Sequence, residues 1–442
     1  MSQSMSSRPN ILPYPFRNGW RLRWNEWRLK GNASLVLSGS LIMLVGSLLV
    51  AGINFGFNVA MARLLGPALF AQATAIVTLL MLLSAVSLSF QLVSAKFIAR
   101  NTTRSGKAAV YHTLQRQAWL VGIAVALLLA VAQTPIAGYL HLPRSWLLTV
   151  LALGMAFYIP LGVKRGRMQG LCAFAPLSGN YILEAASKLA IAVVLVEMGY
   201  GVLGAVGAIS ASIVAAVLLP APQSGAPEES SDAEFIPASF REGMQAIVFF
   251  IGQVVINNID ILLVKHFFAS ELAGVYAAVA LVGRVLYFAA WSIVSAMFPV
   301  SAAAKDEEDP NKAQVLLLPL LIVLLMSACF IFILAVFPGF IIHLIFGEGF
   351  SSAEPLLSLY AVATALYALS VVLITYEMSR KIANTGWLQL LFSGALVLLI
   401  YIFHSSLRQV IEVQIGLMLV MLVVVSLPFL RMFTSVRWKE AA

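Results

Sequence analysis

Charge is what this chain of 442 residues has least of: 11% of its residues are Asp, Glu, Lys or Arg. A soluble globular domain carries roughly 25%. The deficit excludes a soluble enzyme, a disordered protein and a conventional nucleic-acid binder. Cysteine is also scarce. Cys172 and Cys329, the two present, lie in or beside apolar segments and support neither a disulfide framework nor a thiolate metal site. There is no GxxxxGK[ST] loop to cradle a nucleotide. The five histidines, His112, His141, His266, His343 and His404, are scattered, and no His, Cys and carboxylate grouping has metal-ligand spacing. No cofactor and no catalytic residue is expected, and the chain reads as a non-enzyme. A cleavable signal sequence is not expected either, because the first 30 residues are polar and basic and the first apolar stretch is too long for a signal-peptide core.

What is present is hydrophobicity in long blocks. The chain is 61% hydrophobic with a mean hydropathy of +0.93. No ionised side chain occurs from Gly31 to Ala62, Leu64 to Ala95, Gln117 to Pro143, Ala313 to Gly347 or Ile382 to Leu407. Runs above about 18 apolar residues predict membrane spans. Twelve are expected. Spans one to six are Val36–Ala62, Ala71–Ala95, Ala118–Leu140, Trp146–Leu161, Leu177–Val196 and Gly201–Leu219. Spans seven to twelve are Ala246–Val264, Gly274–Met297, Ala313–Phe337, Leu356–Tyr376, Thr385–Phe403 and Val413–Leu430.

The net charge of +9 is explained by orientation. With the N-terminus inside, 22 Lys and Arg fall in inside segments and only Arg63, Arg144, Lys265 and Arg408 fall outside. An excess of that size predicts both termini in the cytoplasm. In the basic arm, Trp20, Trp24 and Trp27 recur at helical spacing among Arg and Lys, which suits a helix lying in the membrane interface; a disordered basic tail is the other reading. The stretch Pro220–Ser239, rich in Pro, Ser, Glu and Ala, is linker-like and divides six spans from six. The expected organisation is a cytoplasmic arm (1–34), an N-terminal six-helix bundle (35–219), a cytoplasmic linker (220–240), a C-terminal six-helix bundle (241–433) and a cytoplasmic tail (434–442).

The halves resemble each other. INFGFNVAMARLLGPALFA closes span one and VINNIDILLVKHFFASELAG closes span seven; Asn58 precedes Arg63 by five residues, and Asp260 precedes Lys265 by five. Two repeated bundles are a common plan of secondary transporters, with the site between them. Since six spans is an even number, the halves share one orientation and the expected axis runs along the membrane normal.

Five stretches together, ARLLGPALFAQATA, KRGRMQGLCAF, YGVLGAVGA, VGRVLYFAAWSIVSAMFPVSA and FGEGFSSAEPLL, resemble the polysaccharide-exporter branch of the MOP flippase superfamily, that of the Wzx-type oligosaccharide-lipid flippases. The resemblance covers about Ser38 to Arg431. Cys172 and Ala173 stand where polar residues often follow QG in that family. The resemblance implies an all-α fold with two six-helix bundles around a central cavity. It implies movement of undecaprenyl-pyrophosphate-linked oligosaccharide from the inner to the outer leaflet of the bacterial cytoplasmic membrane by alternating access. The expected partners are that glycan, membrane lipids, a coupling cation (H+ or Na+) and a polysaccharide polymerase with its export machinery; no nucleic acid is expected. The competing readings are a cation-coupled multidrug exporter of the same fold and a polytopic glycosyltransferase or ligase. The first would favour acidic cavity groups, and the second would need a charged outer loop that is not apparent.

A charge in hydrocarbon is costly, so ionisable residues inside spans are candidate site residues. Arg284 lies well inside span eight, with Tyr287, Trp291 and Ser295 on its face. Its guanidinium suits phosphate and the rings suit sugar faces; structural pairing with Asp260 or Glu184 is the plainer reading. Glu184 and Lys188 are spaced i,i+4 on span five, which predicts a local ion pair, with Asn180 and Tyr181 extending the face; Glu184 is also a candidate protonation site. Span one aligns Ser47, Ala51, Asn54 and Asn58, and span seven aligns Gln253, Asn257 and Asp260, for a cavity or for interhelical bonding. Ser84, Ser87, Gln91 and Ser94 on span two favour close packing. Arg63 and Lys265 at outer helix ends are expected to snorkel. Lys164, Arg165 and Arg167 are expected at the cytoplasmic entrance, mainly as topology determinants. Pro160 and the Gly66–Pro67 turn are candidate flex points.

Overall fold

The computed structural model describes residues 19–220, 236–237, 240–303, 312–380 and 385–440. Thirteen α-helices account for nearly all of them. They are α1 (Gly19–Arg100), α2 (Arg104–Val131), α3 (Gln133–Tyr139), α4 (Leu147–Gly170), α5 (Phe174–Leu195), α6 (Gly201–Leu218), α7 (Phe240–Phe267), α8 (Ser270–Ala303), α9 (Lys312–Val336), α10 (Pro338–Ile345), α11 (Glu354–Arg380), α12 (Thr385–Ile402) and α13 (Leu407–Glu440). Nine described stretches are long and apolar enough to cross a membrane, and Trp387–Ile402 is a shorter apolar helix. Two of the nine, Leu41–Arg100 and Phe174–Leu218, contain a break in the helical backbone and each supply two spans. The protein is therefore an all-α, multi-span membrane protein.

The breaks occur where the residues demand them. Within α1, Gly66 takes φ 71°, ψ 173° just before Pro67. That φ suits glycine, and proline removes the next amide donor. The expected turn after span one is thus present, with spans one and two as the two limbs of α1. Between α5 and α6 the wide turn Val196–Tyr200 carries Gly199 at φ 90°, and Gly201 follows at φ 53°. α4 runs through Pro160 without interruption.

Helix ends depart most from expectation at span three. It was expected from Ala118, but α2 starts at Arg104 and stops at Val131, with Gln133–Tyr139 forming the separate α3. The hydroxyl of Thr103 accepts a bond from the Gly106 amide at 3.1 Å. This cap starts the helix in polar sequence that hydropathy alone assigns to a loop. Side chains at Trp20, Trp24, Trp27 and Ser295, and linker residues 221–235 and 238–239, lie outside the described residues.

Helices α1 to α6 pack mainly on one another, as do α7 to α13, and the halves meet where α1 touches α7 and α8. Close packing in the first half uses small residues. A Cβ added to Gly162, Gly166 or Gly170 of α4 would meet the carbonyl of Ser87, Gln91 or Ala95 on α1 at 2.4–2.6 Å. Ser87 donates to the Tyr158 carbonyl at 2.8 Å and Ser94 to that of Val163 at 3.4 Å. The serine-rich face of span two is a packing face, as expected.

The hydrogen bonds and ring contacts that join described residues of the two halves gather at one end of the bundle, the end carrying Gly66. Arg63 donates through Nη2 to the Leu344 carbonyl and through Nε to that of Ile345 at 2.8 Å, closing the C-terminus of α10. Phe70 meets Phe350 edge-on with centroids 6.0 Å apart. Tyr139 stacks on His266 at 3.8 Å, and the His266 ring donates from Nδ1 to the Tyr139 carbonyl at 2.7 Å. His141 lies 5.6 Å from the same ring, and His404 stacks on the adjacent Phe267 at 3.8 Å. Three histidines that looked scattered in sequence are thus drawn together. The snorkelling expectation fails for Lys265, whereas Arg63 stays exposed. Arg63 bridges to the other half, and Lys265 is 1% exposed with its ammonium on Ser270 Oγ at 2.8 Å. A helix end packed against another helix offers a carbonyl or hydroxyl nearer than any headgroup.

Candidate functional site

Two polar clusters interrupt the apolar interior, one in each half. In the first, α5 presents Asn180, Tyr181, Glu184 and Lys188 between α1, α4 and α6. Arg165 of α4 reaches across to them. Its Nη2 is 2.5 Å from Glu184 Oε2, its Nε donates to Asn180 Oδ1 at 2.8 Å, and its guanidinium lies 3.9 Å from the centre of the Tyr181 ring. Asn180 in turn donates to the Ala216 carbonyl at 2.8 Å. The expected Glu184–Lys188 pair does not form. An exposed i,i+4 pair is worth only about 0.2–0.5 kcal/mol, and a buried guanidinium offers the carboxylate a charge-assisted, better directed partner. Lys188 turns instead to α1, donating to Asn54 Oδ1 with its ammonium 4.9 Å from the Phe57 ring. Asn58 donates to the Asn54 carbonyl at 2.8 Å. Among the described residues, no carboxylate bonds Lys188.

The expected entrance triad divides. Arg167 lies over the Tyr111 ring at 4.6 Å. Lys164 and Arg165 are 6% and 4% exposed, not at an open mouth. Lys164 donates to the carbonyls of Ala216, Val217 and Leu219, capping the end of α6. The glycines at 162, 166 and 170 were the available sign. They bring α4 against α1 and carry the intervening cations into the bundle.

In the second half Asp260 of α7 is 2% exposed and fully satisfied. Arg284 approaches its Oδ1 at 3.3 Å, and Tyr276 and Tyr360 each donate to Oδ2 at 2.9 Å. Gln414 of α13 donates to the Tyr276 hydroxyl at 2.5 Å. Nε of Arg284 is buried without an acceptor. Of the two partners expected for Arg284, the structure supplies Asp260; Glu184 is held in the other half. Beside this cluster, Gln253 donates to Tyr287 Oη at 2.5 Å and accepts from Gln389 at 2.8 Å. Asn257 donates to Tyr367 Oη at 3.1 Å. Tyr287 stacks on Tyr367 with centroids 5.6 Å apart, and Trp291, 38% exposed, lies 6.2 Å beyond. Sequence reasoning passed over Tyr360 and Tyr367, although their i,i+7 spacing places both on one face of α11.

Each cluster therefore contains one neutralised pair, Arg165–Glu184 or Asp260–Arg284, and the first half also holds Lys188 against a neutral amide. Because Glu184 answers Arg165, Glu184→Gln should leave a buried guanidinium without its counter-charge, at a cost of about 3–5 kcal/mol. Thermal unfolding in detergent should show that loss. Adding Arg165→Gln should recover most of it and adding Lys188→Ala should not; recovery by Lys188→Ala instead would restore the local pair.

Residues 60–355 match the family model described as polysaccharide biosynthesis protein. The chain belongs to that family. No curated protein matches this polysaccharide biosynthesis protein significantly. Its fold is that of solved transporters. A multidrug resistance MATE family transporter of the MOP superfamily in an inward-facing conformation superposes with a TM-score of 0.68 at 15% identity, over 88% of this chain and 96% of that one. The outward-facing conformation of such a transporter gives 0.61 at 16% identity, over 91% and 96%. A MOP-superfamily transporter from Pyrococcus furiosus, whose binding pocket is described as reversed in polarity, suggesting a different function, gives 0.61 at 14% identity, over 91% and 95%. At these identities the likeness establishes the MOP/MATE fold, and the family match ties the membrane protein to polysaccharide biosynthesis.

Proposed function

We propose that this polysaccharide biosynthesis protein is a flippase for undecaprenyl-pyrophosphate-linked oligosaccharide, carrying the glycan head from the inner to the outer leaflet of the bacterial cytoplasmic membrane while the lipid tail stays among acyl chains. The observation that carries the reading is Lys188. The ion pairs Arg165–Glu184 and Asp260–Arg284 cancel, whereas Lys188 rests on an asparagine and an aromatic ring. A cation so placed in a low dielectric gains most from an anionic visitor, and a pyrophosphate is one. The same charge would repel a cationic drug. Amides and phenols of Asn257, Gln253, Tyr287 and Tyr367, with Trp291 beside them, offer the hydrogen bonds and ring faces that suit sugars. With both termini in the cytoplasm, the Gly66 end, where the halves touch, would face outward, as the inward-facing stage of an alternating-access cycle requires.

The test is genetic and chemical. Deleting the gene in its host should remove surface polysaccharide, accumulate lipid-linked oligosaccharide on the inner leaflet and leave sensitivity to cationic drugs unchanged. Restoring Lys188→Ala should recover little. Loss of a charge-assisted bond worth about 1.5–3 kcal/mol predicts roughly 10- to 150-fold weaker head binding, and Lys188→Arg should export more than Lys188→Ala. Normal surface polysaccharide in the deletion strain would end the proposal.

A further inference from the structure

α11 closes on a buried carboxyl that no described side chain answers. Glu377 stands in the last turn of the helix, three residues before Arg380. It is 2% exposed, and its Oε1 is buried without a hydrogen-bond partner. The other two in-span carboxylates of the site clusters are treated differently: Glu184 holds Arg165, and Asp260 holds an arginine and two tyrosines. α11 packs against α8, α9, α12 and α13. The charged residues described on these helices are engaged elsewhere or distant. Arg284 of α8 closes on Asp260, Arg408 and Glu412 of α13 pair with each other at 2.8 Å, and Glu271 belongs to the first turn of α8, at the Gly66 end. α9 and α12 contribute no described charged side chain. On its own helix, the neighbouring Tyr376 packs on Phe429 with centroids 5.8 Å apart.

An ionised carboxylate in this place would face three penalties at once. It would be removed from water, it would have no cation among the described side chains, and it would sit at the negative end of the helix dipole. A protonated carboxyl avoids all three. We propose that Glu377 is a proton-binding site, neutral while the halves are sealed at the Gly66 end. It gives its proton to water when the helices rearrange, so this carboxyl serves as the coupling-ion site of the C-terminal half. The O–H bond breaks, its electron pair stays on the carboxylate, and no other reactant is needed. The coupling role rests on the flippase reading; the protonated state does not.

Two measurements separate these layers. Infrared spectra of the full chain in lipid vesicles at neutral pH should show a protonated carboxyl C=O band. The band should be missing in Glu377→Gln. A wild-type spectrum with no such band, or a band unchanged in Glu377→Gln, overturns the site. In the deletion strain, Glu377→Gln should insert as well as wild type, being the isostere of the neutral form, yet export at least tenfold less polysaccharide, with Glu377→Asp in between. Wild-type export from Glu377→Gln overturns the coupling role. Failure of the wild-type gene itself to restore export refutes the flippase reading, and the coupling role with it, while the infrared band still decides whether Glu377 holds a proton.

Discussion

Arg284→Ala is expected to abolish surface polysaccharide and to lower the thermal stability of the protein. The guanidinium is the only cation bonded to Asp260 among the described residues. Removing it leaves a carboxylate at 2% exposure with two tyrosine hydroxyls for company. Breaking a buried pair from one side costs about 3–5 kcal/mol, a large share of a total stability of about 5–15 kcal/mol. Stability and transport can be separated by a second substitution. Asp260→Asn with Arg284→Ala removes both charges while keeping hydrogen-bonding capacity between α7, α8, α11 and α13, so membrane abundance and unfolding temperature should return. On the proposed flippase reading export should stay below about a tenth of wild type, because Nε of Arg284, buried without an acceptor here, would be open to a phosphate once the helices shift. Full export from the double variant would reduce Arg284 to a structural counter-ion, and normal export from Arg284→Ala would remove it from the mechanism altogether.

The second large effect concerns the seal between the halves. Gly274 in α8 lies so close to the turn of α1 that a Cβ there would stand 2.0 Å from the Pro67 carbonyl oxygen and 2.6 Å from its carbon. The obstructing atoms are backbone and cannot rotate away. Gly274→Val should therefore force α8 away from α1 at the Gly66 end and prevent its closure. Phe70 is 1% exposed beneath that contact. A cysteine at position 70, with Cys172 and Cys329 replaced by serine, should be protected from a membrane-impermeant thiol reagent when Gly274 is present. It should be labelled at least about tenfold faster with valine at 274, and export should fall to background. Equal labelling in the two backgrounds would show that the Gly274–Pro67 contact does not control the seal.

Hydropathy and backbone chemistry are local properties, and for that reason much of the architecture was legible. Twelve apolar stretches, the turn at Gly66–Pro67, the packing face of Ser87 and Ser94, and the in-span positions of Glu184, Lys188, Asp260 and Arg284 all follow from residues within a few turns of one another. The start of α2 was missed because a single hydroxyl, that of Thr103, extends a helix into sequence too polar to look like a span. Which charges meet was decided by tertiary structure. Glu184 and Lys188 share a helix face, but α4 delivers Arg165 to one and α1 delivers Asn54 to the other. Sequence spacing describes neighbours along one helix. The partner of a buried charge is chosen among whichever helices pack around it, and in a medium without water that choice dominates the energy. The same holds for the gathering of His141, His266 and His404, the burial of Lys265, and Glu377, which no described side chain answers: each ionisable residue was visible in the chain, and only the packing of the helices determined which would be answered.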